Sequence, residues 1–376
     1  MLLKLCQPSS YSALKIIKNK TRINLNDIIV TNQLCQQNPI IVTCLRNLTL
    51  TKHVSALPAN SVMNVFDRNA KLLQRERAAK MPDPKIYDYI KDEVGYRLAD
   101  KIYDVKRKFK KALDLGCGRG HVSKHMTSDS IEEVILSDMS PSFLEQANIT
   151  DDGIKVHKQV MDEETFSLES NSLDLIVSSL SLHWVNDLPG CFSRIINCLK
   201  PDGVFIGAMF GGDTLYELRG SLQLAEMERE GGVAAHISPF AEIRDIGSLM
   251  TRAGFTMLTI DTDEIVVGYP TMFELMWDLK GMAENNASRN RKLHLNRDTT
   301  MAAAAIYNQL YGKTKEDGSK YIPATFQIIF MIGWKPDPSQ PKPLERGTGQ
   351  ISLKDIHKLD ELIKETKKIK LSDNDK

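Results

Sequence analysis

Residues 112–126 read "ALDLGCGRGHVSKHM". A short apolar run ends on Asp114, glycines follow at 116, 118 and 120, and helix-like sequence begins after them. Glycines at alternate positions let a strand-to-helix turn pass tightly beneath a ligand, where a Cβ would collide. The spacing is G-x-G-x-G rather than the G-x-G-x-x-G of dinucleotide folds, and no Gly-Lys-Ser/Thr follows as a phosphate loop requires. An acid at the strand end repels a pyrophosphate but suits a ligand carrying an ammonium or sulfonium. The stretch therefore predicts the first strand and turn of an α/β fold whose ligand is not held by its phosphates.

Outward from this turn, strand and helix patterns alternate. Strands read at 110–115, 132–138, 154–160, 172–179 and 203–210, with helices at roughly 120–127, 140–148 and 187–199 between some of them. Such alternation predicts a mostly parallel, doubly wound sheet covered on both faces. Ser140 before Pro141, and Asp187 ahead of Pro189, mark helix starts. Two further strand-like runs, from Phe255 and from Ala324, are expected to add antiparallel strands at the far edge, under helices near 214–230, 239–252, 271–284 and 298–311. Before the sheet, Val62, Phe66, Asn69, Ala70 and Leu73 mark one face of a helix, and Asp83-Pro84 starts another.

The acids are placed consistently with the glycine turn. Asp138 ends the second strand, where an acid accepts hydrogen bonds from ribose hydroxyls, and "MDEE" at 161–164 brings Asp162 and Glu163 after the third, near an adenine edge. Solvated acids on strand ends would explain each residue singly, but not their shared place at the carboxyl ends of successive strands. The expected cofactor set is Asp114, Gly116, Cys117, Gly118, Gly120, Asp138, Met139, Asp162, Glu163 and Ser179.

With "SSLSLHWVNDLP" and "LKPDGVFIGAMFGG", these residues resemble the class I S-adenosylmethionine-dependent methyltransferases over about residues 85–270. "LAEMEREGG", "HISPF" and "PATFQIIFMIGWKP" extend the likeness, from Phe66 to about Gly349, to the mitochondrial assembly factors of respiratory complex I within that superfamily. The resemblance implies a seven-stranded sheet, S-adenosylmethionine as cofactor, matrix residence with peripheral association at the inner membrane, and an arginine of a complex I iron–sulfur subunit as substrate. The implied reaction is hydroxylation. A true methyltransferase acting on a protein, quinone-like or acyl-carrier substrate, and a non-catalytic assembly chaperone, are the rivals.

Residues for chemistry are less legible. His183 and Trp184 follow the fourth strand, and Asp213 follows the fifth behind Gly211 and Gly212, which would permit close substrate approach. His183 and Asp213 are the candidate catalytic pair, although Trp184 reads first as core and Asp213 first as a helix cap. Glu226 and Glu230 lie at i and i+4 in "EMERE", a spacing that can fork around a guanidinium but belongs more often to a solvated helix surface. No metal set stands out. His183, His236 and Asp213 form a conceivable trio without an H-x-D/E element. Phe273, Met276, Trp277 and Lys280, and "AAAAIYNQLY" at 302–311, read as core-packing stripes.

The 376 residues carry a formal net charge of +1, with 42% apolar and 26% charged residues. That balance argues against a nucleic-acid binder. Charge is concentrated at the start. Residues 1–60 hold Lys4, Lys15, Lys18, Lys20, Arg22, Arg46 and Lys52 against Asp27, amid Ser, Thr, Asn and Gln. This composition predicts a disordered mitochondrial presequence over 1–55. A methyltransferase-like domain is expected over 62–334, led by N-terminal helices to 104, with a Pro-rich linker and tail over 335–376. Cys6, Cys35 and Cys44 fall in the presequence, leaving Cys117, Cys191 and Cys198, an odd number without a C-x-x-C pair and no disulfide framework. No apolar run is long enough to span a membrane.

Overall fold

Hydrophobic runs long enough for strands, broken by Gly, Pro and Asp, build the sheet around which the chain is organised. The computed structural model describes residues 64–341; the basic segment 1–55 and the tail beyond 341 lie outside them. Strands β1 (Phe109–Leu115), β2 (Ile131–Asp138), β3 (Lys155–Val160), β4 (Leu173–Ser179), β5 (Leu199–Phe210), β6 (Thr256–Tyr269) and β8 (Lys320–Trp334) run in the order β3-β2-β1-β4-β5-β8-β6, with a two-residue β7 (Lys313–Thr314) beside β8. The first five strands are parallel.

The two late strands bring antiparallel pairing to the far edge as expected, with β8 alone running against the direction of the parallel set. It inserts between β5 and β6 and pairs antiparallel with both, which leaves β6 pointing the same way as β5. A strand that returns from β6 through two helices is free to enter on the inner side, where "ATFQIIFMIGW" buries both faces. β6, with charged residues at alternate positions, takes the edge.

Alternate residues of each central strand feed two cores. Ala112, Val134, Leu136, Leu175 and Val204 pack on one face, while Leu113, Leu115, Ile135, Ile176 and Phe205 pack on the other. Helices α2 (Tyr89–Asp104), α5 (Tyr216–Arg229), α7 (Met272–Gly281) and α8 (Arg297–Tyr311) contribute to the first core, and α4 (Leu188–Cys198) and α6 (Ile243–Ala253) to the second. The short α3 (Pro141–Gln146) is capped by the Ser140 hydroxyl, which accepts from the Phe143 amide at 3.2 Å, and α4 by Asp187, which accepts from Gly190 at 2.9 Å.

Three local expectations fail. The segment after the glycine turn is not a helix over 120–127 but a turn with one 3-10 coil at Ser123–His125, because Gly118 and Gly120 hold left-handed φ of 56° and 84° and leave few residues to wind. Asp83 sits at φ 47° without capping, and Pro84–Tyr87 is a 3-10 turn ahead of α2. Val62 lies outside the described residues and Phe66 is buried as expected, but the first helix, α1 (Arg68–Ala79), buries the opposite face from the one expected. Leu73 is 70% exposed, while Lys71, Arg75, Ala78 and Ala79 face inward.

Candidate active site

The strand order reverses between β1 and β4, and open α/β sheets bind ligands at such a switch point beyond the strands' carboxyl ends. The glycine turn lies there. Gly116 and Cys117 both donate to the Ser137 carbonyl at 2.8 Å, locking the turn against β2. Gly118 donates to Asp138 Oδ2 at 3.1 Å. The glycines are required first by the protein itself: a Cβ at Gly116 would sit 2.3 Å from Ser181 Oγ, and one at Gly120 would sit 2.8 Å from the Asn148 carbonyl.

Helix α1 crosses this site and delivers cations to its acids. Arg75, 6% exposed, donates to Asp138 Oδ1 at 3.1 Å, to Glu163 Oε1 at 2.7 Å and to Ser181 Oγ at 3.0 Å. Arg68 pairs with Asp162 and with the other oxygen of Glu163. Burial pushes the Glu163 carboxyl up, yet Arg75 and Arg68 hold it well below the usual carboxylate range. Burial raises Asp138, against the pull of Arg75. The structure thus brings Asp138, Asp162 and Glu163 together as expected and adds Arg68, Arg75 and Ser181, which sequence reasoning missed. Their signal was present: Arg68, Lys71 and Arg75 recur at helical spacing, but a cationic stripe reads as solvated until its acidic partners are located.

Asp114 is different. It is fully buried at the end of β1, and neither carboxylate oxygen has a partner. Burial, then the neighbouring charge of Asp138, raises its pKa to about 7. An unpaired buried carboxylate is costly and calls for a cation or hydroxyl donor. Ser179 Oγ, at the end of β4, is likewise buried and unpartnered. Met139 is buried, and burial lifts the Cys117 thiol far above its ordinary pKa, which removes it as a nucleophile. The donor set fits an adenosyl sulfonium cofactor: an orphan acid for the ammonium, a glycine turn, and acids at the ends of β2 and β3. Arg75 occupies Asp138 Oδ1.

A methyltransferase domain model matches residues 85–260. The zebrafish (Danio rerio) protein named arginine-hydroxylase NDUFAF5, mitochondrial, is 53% identical over 300 residues, covering 80% of this chain and 92% of that protein. The mouse (Mus musculus) protein of the same name is 54% identical, covering 81% and 88%. The chain belongs to the NDUFAF5 arginine-hydroxylase family. The solved YcgJ protein of Bacillus subtilis is 14% identical with a TM-score of 0.45, covering 64% of this chain and 99% of that one.

In this family member, the candidate catalytic pair is not assembled. His183, in the 3-10 turn after β4, is buried, and its Nε2 lies 3.2 Å from Glu284 Oε2. Glu284 also accepts from Trp184 Nε1 at 2.8 Å and pairs with Lys91 at 3.0 Å. Burial raises Glu284, but Lys91, His183 and Lys71 hold its carboxyl far below the ordinary range. Burial depresses His183. A neutral imidazole sharing its Nε2 proton with Glu284 leaves Nδ1, which has no partner, as an acceptor. Phe210 and Phe240 flank the ring, with centroids at 4.8 and 5.8 Å. Trp184 is a core residue as expected, stacked edge-on against Phe66 and covered by the Lys71 ammonium 3.3 Å from its centroid.

Asp213 stands apart. It is exposed, accepts from Gln327 Nε2 at 3.2 Å, and does not cap α5, whose N-cap is Leu215. Gly211 leaves room for Gln327, whose Oε1 lies 2.3 Å from where its Cβ would be, rather than for a substrate. His236 lies 2.7 Å from Glu226, so the conceivable iron trio is dispersed, and no group of three potential ligands occurs among the described residues. Glu226 corrects another expectation: it is 1% exposed, not a solvated surface acid. Phe273 and Trp277 are 44% and 53% exposed, so that stripe is not core, whereas Ala303 and Tyr307 of α8 are buried.

Proposed function

We propose that this chain is a mitochondrial arginine hydroxylase that binds S-adenosylmethionine beyond β1, β2, β3 and β4 and acts on an arginine of a complex I iron–sulfur subunit. The observation that carries the reading is the unpartnered Asp114 at the glycine turn, in a chain 53% identical to a protein named for that activity. When bound, the cofactor would bring a sulfonium and an ammonium to the site, and Asp114 is the acid placed to hold the ammonium. Asp138 would take the ribose hydroxyls once Arg75 yields its oxygen, and Asp162 and Glu163 would border the adenine. Met139 and Ser179 complete the wall. His183, held by Glu284 and walled by Phe210 and Phe240, would meet the substrate through Nδ1 in surroundings from which water is excluded.

A mitochondrial location follows the name of the relatives, and residence in the matrix with a peripheral seat on the inner membrane is the associated proposal; no helix among the described residues is long and apolar enough to cross a membrane. The methyltransferase domain match keeps a methyl-transfer reading in play. Mass spectrometry of the client subunit after incubation with the chain, S-adenosylmethionine, dioxygen and a two-electron reductant, one oxygen atom entering the arginine and the other leaving as water, separates the readings. A gain of one oxygen on an arginine supports the proposal; a gain of one methylene, or no change, overturns it in favour of a methyltransferase or a chaperone.

A further inference from the structure

A cavity of about 400 Å³ lies between α5, α7 and the loop that joins α7 to α8, with His236, Ser238, Phe240, Glu284 and Lys292 in its wall. Phe240 and Glu284 are the residues that flank and hold His183, so the cavity reaches the candidate reaction centre from one side. On another side, Lys292 places its ammonium 2.6 Å from Glu226 Oε1 and 2.5 Å from Glu230 Oε2. Glu226 is fixed from behind by the Ala234 amide at 2.6 Å, with His236 Nε2 2.7 Å from the same Oε1 that Lys292 meets, and Glu230 is fixed by the Thr299 hydroxyl at 2.6 Å. Ser238, 4% exposed, lines the same cavity with its hydroxyl unpartnered.

This fork is built for a cation, and its present occupant is a poor match. Two carboxylates one helical turn apart, each pinned by a further donor, present oxygens on one face to a planar multi-donor group. A lysine offers a point charge on a flexible stem, and the Lys292 side chain is 40% exposed. A guanidinium would engage both acids through separate N–H groups and leave others for a hydroxyl such as that of Ser238.

We infer that Glu226 and Glu230 form a subsite for the guanidinium of a protein-borne arginine, with Lys292 as an internal cation that the substrate displaces. The inference rests on the arginine-hydroxylase reading and identifies where that substrate is read. Because Lys292 competes for the same oxygens, it lowers the apparent affinity by the fraction of time it holds them.

Calorimetric titration of the full-length chain tests this with N-acetylarginine amide, the neutral isostere N-acetylcitrulline amide and free L-arginine as probes. Lys292→Ala should bind the blocked arginine at least about tenfold more tightly than wild type, with citrulline at least about tenfold weaker than arginine. Adding Glu230→Gln to Lys292→Ala should lose about tenfold again, and the shared Lys292→Ala background keeps the loss from being masked by a weakened competitor. Unchanged affinity in Lys292→Ala, or equal binding of arginine and citrulline, would overturn the subsite. Free arginine binding more tightly than the blocked form would overturn the protein-borne source. The two readings fail separately. An unmodified client beside a tightened arginine probe would sink the hydroxylase reading and keep the subsite; a client oxidised equally by Lys292→Ala and by Lys292→Ala with Glu230→Gln would do the reverse.

Discussion

At the scale of single residues, Asp114 is the most informative. Its place was legible because strand, acid and glycine turn are contiguous in sequence; its lack of a partner was not, because that depends on everything packed around it. The pKa of about 7 against a reference of 3.8 has a definite consequence for stability. Below about pH 4 the group is protonated folded or unfolded and has no effect. Between about 4 and 7 the unfolded chain ionises first, so the native state loses stability by roughly 4 kcal/mol, and above 7 the loss is constant. Asp114→Asn removes the ionisation. Its melting temperature should exceed that of wild type at pH 8 and match it near pH 4; an equal difference at both would contradict the assignment. His183 gives a second residue-scale prediction. With its pKa depressed by burial, activity should fall only below about pH 6.5, as the imidazole protonates. His183→Gln should lower product formation about a hundredfold or more and abolish that acid limb; product formation as in wild type would exclude the role.

At the scale of elements, helix α1 shows how local patterning misleads. Val62, Phe66, Asn69, Ala70 and Leu73 were read as the inward face because apolar residues usually turn inward, and of these Phe66, ahead of the helix, is buried. The helix instead turns Lys71 and Arg75 inward, toward acids more than sixty residues away in sequence, and leaves Leu73 in solvent. No periodicity of α1 alone encodes that choice. Glu284 was missed for the same reason: it lies 101 residues from His183. In contrast, the caps at Ser140 and Asp187 were legible, being three-residue interactions. If Arg75 competes with ribose for Asp138, Arg75→Gln should bind S-adenosylmethionine about tenfold more tightly while lowering the melting temperature, since Glu163 loses a buried partner. Tighter binding would be read by calorimetry, and loss of binding would instead make Arg75 part of the cofactor site.

At the scale of the whole molecule, five parallel strands follow from alternating strand and helix patterns. The insertion of β8 between β5 and β6 does not, because adjacency in sequence favours pairing in order. Only the two-sided burial of "ATFQIIFMIGW", against the alternating charge of β6, distinguishes inner strand from edge. This sheet gathers Asp114, Asp138 and Glu163 at one end while His183 and Glu284 close the neighbouring wall. The central claim is that this end binds S-adenosylmethionine through Asp114, and titrating the cofactor into wild type and Asp114→Asn by calorimetry tests it most directly. Wild type should bind, and Asp114→Asn, folded and more stable at pH 8, should bind at least about a hundredfold more weakly; equal affinity in the two, or no binding to wild type, would contradict it.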